Sequence, residues 1–243
     1  MPAAFMLFAV TWGGLSPDQA LERALDAVEP PPAMRAAFRA TLSSANAVRR
    51  IEYDPYAAPD QRFRITQTFG DDKELDAVVQ GWKDEGQADG RLFADGLRTS
   101  LGEAHVAAAG DQLAIDFRRK VAPHDGPVDK EFSAHMVGRL TLDPSNGFLS
   151  QVQYDIDDPV KLEDGTTLTQ YTQTYQFGYS QRWGVSYVMS YEIQARGGKF
   201  GLDETRSVRV TLTDVAFGLA GDAHQELESK APPTPPGPTA NLR

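Results

Sequence analysis

The sequence predicts an α+β protein that is mainly antiparallel β, in which a curved meander sheet, half-barrel or barrel-like, packs on two to four N-terminal helices. Two observations lead to this prediction. Apolar residues with helical spacing occur only before Gly102, and beyond it nearly every segment alternates between apolar and polar residues, as strands do. The turns between these later segments, such as 143–147 and 195–198, are short, which favours pairing between strands that are neighbours in sequence.

The helices are expected near the start of the chain. Ser16 to Gln19 has the form of a capping box with proline at the first helical position. The prolines at 30–32 should end this helix and begin a second one. A third helix is predicted from about Asp72 to Gly86, and a last helical piece between Leu92 and Leu101. The second helix is predicted from the spacing of Met34, Ala37, Phe38, Thr41 and Leu42.

Two half-buried strands are predicted before the third helix. In the first, Ile51 and Tyr53 alternate with charged residues. In the second, Phe63, Ile65 and Phe69 alternate with polar residues. Each strand should therefore bury its apolar face.

The clearest strand runs from Val185 to Ala195, where every second residue is apolar or aromatic. It is followed by Val208 to Leu212, whose apolar phase slips by one residue at Thr213 or Asp214. A slip of this kind indicates a β-bulge, which is one extra residue inserted into a strand.

Charge and cysteine content exclude several kinds of function. The formal net charge of −10 would repel nucleic acid, so no nucleic-acid partner is expected. Without cysteine, the chain can form neither a disulfide framework nor a thiolate site. No membrane-spanning segment and no cofactor are predicted.

The chain is predicted to contain one α+β domain at residues 17–220. Residues 1–16 include an apolar run of the length of a signal-peptide core, and we interpret them as the remnant of a signal segment; a segment that packs on the core is the alternative. Residues 221–243, acidic and then proline-rich, are expected to form a disordered tail. The expected location is periplasmic or exported, and otherwise cytoplasmic.

No catalytic signature is present, but a hydrolase with a carboxylate, histidine or metal site is an alternative. His105 and His135 lie in predicted strands and could meet near Glu103 or Glu131. The acidic turn at 155–164 lacks the spacing of a calcium loop, so no metal site is predicted there. Candidate carboxylates for acid–base chemistry are Glu192, Asp203 and Glu204.

The most informative feature is the aromatic content of the late strands. On the concave face of a curved sheet, such side chains would line a cavity in which rings supply apolar area and hydroxyls orient a ligand. The alternative is a closed core with tyrosine hydroxyls at its edge. The predicted ligand-binding residues are Tyr171, Tyr175, Phe177, Tyr187, Met189 and Tyr191.

The order of elements over about Pro31 to Phe217 resembles that of the LolA/LolB-like periplasmic half-barrel proteins. The likeness is carried by the opening from Met34 to Phe69 and by the strand–turn–strand from Gly138 to Leu149. In that family a curved antiparallel sheet wraps around helices and holds acyl chains. The resemblance implies a non-enzymatic envelope protein that binds a lipid or another hydrophobic small molecule. A protein-interaction module is a further alternative, since it needs only an exposed surface.

Overall fold

The computed structural model describes residues 15–94, 96–109, 112–122, 130, 132–162, 165–199, 202–220 and 226–227. These residues form one open, curved, antiparallel sheet accompanied by a few short helices, which confirms the predicted fold class. Almost all of 1–16 and 221–243 lies outside this set. The signal remnant, the disordered tail and the division into one domain therefore stay predictions.

The first helix, α1 (Pro17–Ala27), begins where its capping residues predict. The Ser16 hydroxyl accepts a hydrogen bond from the backbone N–H of Gln19 at 3.2 Å, and the Gln19 side chain accepts one from the Ser16 N–H at 2.9 Å. Two N–H groups that the helix leaves unpaired are thereby satisfied. The predicted capping box is confirmed.

The later helical segments are also found near their predicted positions. α2 (Lys73–Asp84) is capped by Asp72, whose carboxylate accepts hydrogen bonds from two backbone N–H groups of the first turn. The last helical piece is present as two short elements. These are the 3₁₀ helix η1 (Ala88–Leu92) and α3 (Leu97–Ser100).

Twelve strands make up the sheet within the described residues. Their order is β3-β2-β1-β11-β10-β9-β7-β6-β5-β4, with β8 paired to β9 and β12 paired to β11. From β4 to β11 the long strands pair with their sequence neighbours, as a meander does, and β1 joins the opening strands to β11. The strands are β1 (Met34–Ser43), β2 (Val48–Tyr53), β3 (Phe63–Phe69), β4 (Leu101–Ala109), β5 (Gln112–Arg119), β6 (Met136–Leu142), β7 (Leu149–Ile156), β8 (Val160–Lys161), β9 (Thr167–Ser180), β10 (Val185–Lys199), β11 (Leu202–Leu219) and β12 (Glu226–Leu227).

The segment that begins at Met34 is a strand, β1, so the predicted second helix is wrong. Alanines at 36, 37 and 40 fit the apolar face of either a helix or a strand, because a small side chain tolerates both surroundings. Pairing with β2 on one side and β11 on the other decides for the strand. The buried residues of β1 alternate as Met34, Ala36, Phe38, Ala40 and Leu42.

β3 forms where predicted, but most of its apolar side chains are not buried. Ile65 is 51% exposed and Phe69 is 67% exposed. β3 pairs only with β2, so it is an edge of the described sheet, and the register shifts between Arg50 and Ile51 of β2. Only Phe63 packs against the core, and the predicted inward face of this strand is otherwise wrong.

The predicted bulge in β11 is confirmed. The register of β11 against β1 shifts between positions 37 and 39 of β1. Asp214, at the shift, has a φ of 50°, a conformation that aspartate adopts more readily than most residues. Its carboxylate accepts a hydrogen bond from Arg39 at 2.9 Å. Val215 and Phe217 are thereby turned into the core, where both are fully buried.

α2 is fastened to the sheet through Trp82, which is 1% exposed. Its ring meets Phe38 of β1 edge-on, with 6.3 Å between centroids. Its indole lies close to the Tyr191 hydroxyl of β10, and its N–H partly offsets the rise in the pKa of Tyr191 that burial causes. Leu75 and Val79 are buried with it on one face of the helix, which confirms the helix predicted here.

A glycine in β6 allows close packing within the sheet. Gly138 pairs with Phe117 of β5, and a Cβ at position 138 would fall well inside van der Waals contact of the Phe117 ring. That ring also packs edge-on against Tyr154 at 5.7 Å. We expect Gly138→Ala to displace the ring and to lower the free energy of unfolding by about 1–3 kcal/mol, as measured by urea unfolding.

The matched control is Gly81→Ala in α2. A Cβ at position 81 would meet no atom within 4 Å. Since alanine is favoured over glycine inside a helix, this change should raise the free energy of unfolding by about 1 kcal/mol. If both substitutions changed the free energy of unfolding in the same direction, the packing of Phe117 over Gly138 would be contradicted.

Candidate ligand-binding cavity

A cavity of about 690 Å³ lies between strands β7, β9 and β10 and the segment that contains η1 and α3. A cavity of this size is within the range of small-molecule sites. Most of its lining is apolar or aromatic. Those lining residues are Phe93, Leu97, Phe132, Met136, Val152, Tyr154, Tyr171, Tyr175, Phe177, Val188, Tyr191 and Ile193.

The sheet places one row of these side chains side by side. Tyr175 of β9 pairs with Tyr191 of β10 on one side and with Val152 of β7 on the other. The rings of Tyr175 and Tyr191 lie 5.4 Å apart, and Tyr154 meets Tyr175 edge-on at 6.5 Å. Such aromatic contacts hold the rings in place, so this wall of the cavity is preorganised.

The polar groups of this wall bond to one another. The Tyr171 hydroxyl donates to Oε1 of Gln173 at 3.1 Å, and Nε2 of Gln173 donates to the Tyr175 hydroxyl at 2.5 Å. The Tyr191 hydroxyl lies near the indole N–H of Trp82. Because a buried polar group is costly only when it is unpaired, an apolar ligand could fill the cavity without leaving these groups unsatisfied.

Burial raises the pKa values of two of these tyrosines further above neutral pH. Desolvation raises the pKa of the Tyr175 hydroxyl far above its ordinary value, and the nearby Tyr191 and Tyr154 raise it further. Desolvation likewise raises the pKa of Tyr191 to about 12. The aromatic wall is therefore uncharged at neutral pH.

Three charged residues line the cavity, Glu85, Arg91 and Arg119, and each is at least partly exposed. Nε of Arg91 donates to Oε2 of Glu85 at 2.9 Å, and the side chains of Arg91 and Glu85 are 43% and 44% exposed. Desolvation alone would lower the pKa of Arg91, but the hydrogen bond and charge of Glu85 outweigh it and leave the pKa raised. This ion pair lies at the solvent side of the cavity, where a polar group of a ligand could meet it.

α3, which contributes Leu97 to the cavity, is held to α1 by the next residue. The Arg98 guanidinium contacts three carboxylates, two on α1 and one just beyond its C-terminal end, at 2.5, 2.6 and 2.8 Å. Hydrogen bonds to these carboxylates raise the pKa of Arg98. The carboxylates are those of Glu22, Asp26 and Glu29.

The cavity contains part of the predicted site. Tyr171, Tyr175, Phe177 and Tyr191 line it, whereas Tyr187 and Met189 do not. In β10 the register against β9 shifts between Val188 and Ser190, so the chain changes phase at Met189. Val188 therefore faces the cavity, and Tyr187 packs against Phe217 at 5.3 Å. That any of the six predicted residues binds a ligand stays a prediction.

Sequence reasoning missed other parts of the wall. The alternation of Val152 and Tyr154 in β7 marks both as inward-facing, and that signal could have assigned them to the site. Phe132 lies outside the strands, between β5 and β6, and no periodic pattern points to it.

The structure does not bring His105 and His135 together. His105 lies in β4 opposite Asp116 and lines an exposed hollow, and His135 is not among the residues that line this hollow. Asp116 binds Arg139 at 2.6 Å, which lowers the pKa of Asp116. Glu131 lies outside the described residues, and within the described part of the chain no three His, Asp or Glu side chains are placed to hold a metal ion.

The candidate carboxylates of the hydrolase alternative do not line the cavity. Glu192 binds Arg209 at 2.6 Å, and hydrogen bonds from Gln194 and Arg209 lower its pKa although desolvation opposes them. Glu204 binds Arg206 at 2.6 Å. A carboxylate with a lowered pKa is poorly suited to act as a general acid at neutral pH.

Comparisons with known proteins identify no family for this chain. No protein-family model matches it, and the search of curated proteins found no match. A crystal structure of MucB in complex with MucA(peri) aligns with 81% of this chain and 94% of that chain, at 11% sequence identity and a TM-score of 0.21. So low a TM-score carries no argument, and the LolA/LolB resemblance stays a prediction. In the described residues, no helix has the length and apolar character needed to cross a membrane.

Alkaline pH should destabilise the protein through Tyr191. An unfolded tyrosine loses its proton near pH ~10, whereas the folded protein raises the pKa of Tyr191 to about 12. The folded state then binds more protons than the unfolded state, so the stability present below pH ~10 is lost as the pH rises toward 12. Denaturant unfolding of Tyr191→Phe over this pH range should show a shallower decline than wild type. Parallel curves for the two proteins would contradict the burial of this hydroxyl.

Proposed function

We propose that this is a non-enzymatic cell-envelope protein whose cavity binds the apolar part of a lipid or another hydrophobic ligand. The observation that carries the proposal is the composition of the cavity wall. About 690 Å³ of space is bounded mainly by aromatic and aliphatic side chains, and the polar groups of Tyr171, Gln173 and Tyr175 among them are bonded to one another. The envelope location is supported by the apolar run at 1–16 and by the LolA/LolB resemblance.

The energetics favour an apolar occupant. Each methylene group that leaves water for such a wall contributes about 0.8 kcal/mol. A charged group buried against the aromatic side chains would instead lose its hydration. The Arg91–Glu85 pair is a better place for a polar head group, because both side chains are partly exposed.

Filling part of the cavity should weaken ligand binding. Ile193 of β10 is half-buried and lines the cavity. We expect Ile193→Trp to occupy the space that a ligand needs and to weaken binding of a fluorescent fatty acid at least about tenfold, which corresponds to about 1.4 kcal/mol. Binding is measured by titrating the probe against wild type and variant.

The control introduces the same side chain one residue away. Gln194 is exposed and does not line the cavity, so Gln194→Trp should bind the probe as wild type does. Thermal unfolding of both variants shows whether each is folded. Equal binding by folded Ile193→Trp and wild type would refute the cavity as the binding site.

A protein-interaction module is a second candidate, favoured by the edge strand β3. Ile65 and Phe69 expose 51% and 67% of their surface there. Arg64 and the register shift beside it disfavour the addition of a further strand, so a partner would contact side chains. Sedimentation velocity at rising concentration tests self-association through this edge. A larger species formed by wild type, and absent from an Ile65→Thr/Phe69→Thr variant, would support this candidate.

A further inference from the structure

We infer that the protein has a second binding site, a cleft between Arg35 and Arg62 that takes the carboxylate of a small organic monoanion. The cleft has a volume of about 300 Å³. It lies where β1, β2 and the segment before η1 meet, and shares no lining residue with the apolar cavity. The lining residues used below are Arg35, Tyr53, Tyr56, Arg62 and Gln87.

Arg35 and Arg62 are held in place by backbone oxygens. Nη1 of Arg35 donates to the carbonyls of Pro32 and Met34 at 3.2 and 2.6 Å. Nε of Arg62 donates to the carbonyl of Ala57 at 3.2 Å. These bonds orient the two guanidinium groups without neutralising their charge.

Neither arginine has a carboxylate partner within the described residues, although many other arginines of this acidic chain do. Arg35 keeps its Nε and Nη2 donors, and Arg62 keeps both terminal nitrogens. Both side chains are half-buried. Arginines with carboxylate partners include Arg39, Arg49, Arg64, Arg98, Arg139 and Arg209.

The buried carboxylate of Asp89, next to the cleft, reduces the positive charge that a ligand has to balance. Asp89 is 4% exposed and accepts hydrogen bonds from the Tyr53 hydroxyl and from the Ala36 N–H, both at 3.3 Å. Arg35 also lines the neighbouring hollow that contains Asp89. The Asp89 carboxylate offsets part of the charge of the two guanidinium groups, which favours a ligand with one negative charge over a ligand with two.

The charges of Arg35 and Arg62 both act on the Tyr53 hydroxyl from the side of the cleft. Burial, and to a smaller extent the charge of Asp89, raise the pKa of Tyr53 to about 12. The charges of Arg62 and Arg35 oppose this rise. Both guanidinium groups are therefore within electrostatic reach of the Tyr53 hydroxyl at the wall of the cleft.

The geometry and size of the cleft indicate that its ligand is a small organic molecule with a carboxylate group. A guanidinium offers two parallel N–H groups that match the two oxygens of a carboxylate. Tyr53 and Tyr56 add aromatic surface beside the charges, and Gln87 adds an amide. A volume of about 300 Å³ admits a small metabolite and not a long chain.

The test is an NMR titration of the full chain with sodium propionate, at ionic strength held constant with sodium chloride. We expect saturable shifts at the backbone amides of Tyr53, Arg62 and Ala220. Arg35→Gln and Arg62→Gln should each weaken the apparent affinity about tenfold or more, because a hydrogen bond to a charged group is lost. Arg50→Gln removes the same charge from exposed Arg50, which is not part of the cleft, and should leave the affinity unchanged.

A measurement on the wild-type protein covers the case in which a variant does not fold. Phenylglyoxal modifies accessible arginines, and peptide mass spectrometry then reads each site. Propionate should protect Arg35 and Arg62 and leave Arg50 unprotected. Equal modification with and without propionate would overturn the site, and tighter binding of inorganic phosphate than of propionate would overturn the assignment of a monoanion.

Discussion

The burial of Trp82 in the inner face of the sheet is the contact on which the rest of the structure depends. This side chain packs against Phe38 of β1 and lies beside Tyr191 of β10, so it fixes α2 against two separate parts of the sheet. The chain that follows α2 is then directed across β9 and β10 as η1 and α3. Near β1, α2 packs on the concave face and forms a closed core. Farther along the sheet, α2 does not cover this face, and the cavity lies there.

Irregular pairing shapes the cavity as much as the alternation of the strands does. The bulge at Asp214 turns Val215 and Phe217 inward, and the phase change at Met189 lets Val188 line the cavity while Tyr187 packs against Phe217. Each shift exchanges the faces of the residues that follow it. Ion pairs have a different role from the packed side chains. Partly exposed pairs such as Arg209 with Glu192 contribute little to stability, but they hold the carboxylate away from the apolar wall.

A segment of this structure is predictable from the sequence when its apolar residues fit the spacing of a helix or that of a strand, but not both. α2 is predictable because Leu75, Val79 and Trp82 fit only a helix with one apolar face. β1 is not, because its alanines satisfy both periods and only pairing with β2 and β11 settles the choice. The bulge in β11 shows as a phase slip, whereas the one in β10 is hidden, since apolar residues at both 188 and 189 conceal the change of face. The cleft between Arg35 and Arg62 joins residues far apart in sequence, so no local motif indicates it.

The central claim is that the sheet encloses a space that an apolar ligand occupies, and native mass spectrometry of the protein purified from its own cells tests it most directly. The proposal predicts a bound species of lipid mass that remains through gentle desolvation and is released on unfolding. A protein that carries no such species, and takes up none when mixed with lipid extracted from those cells, would contradict the claim.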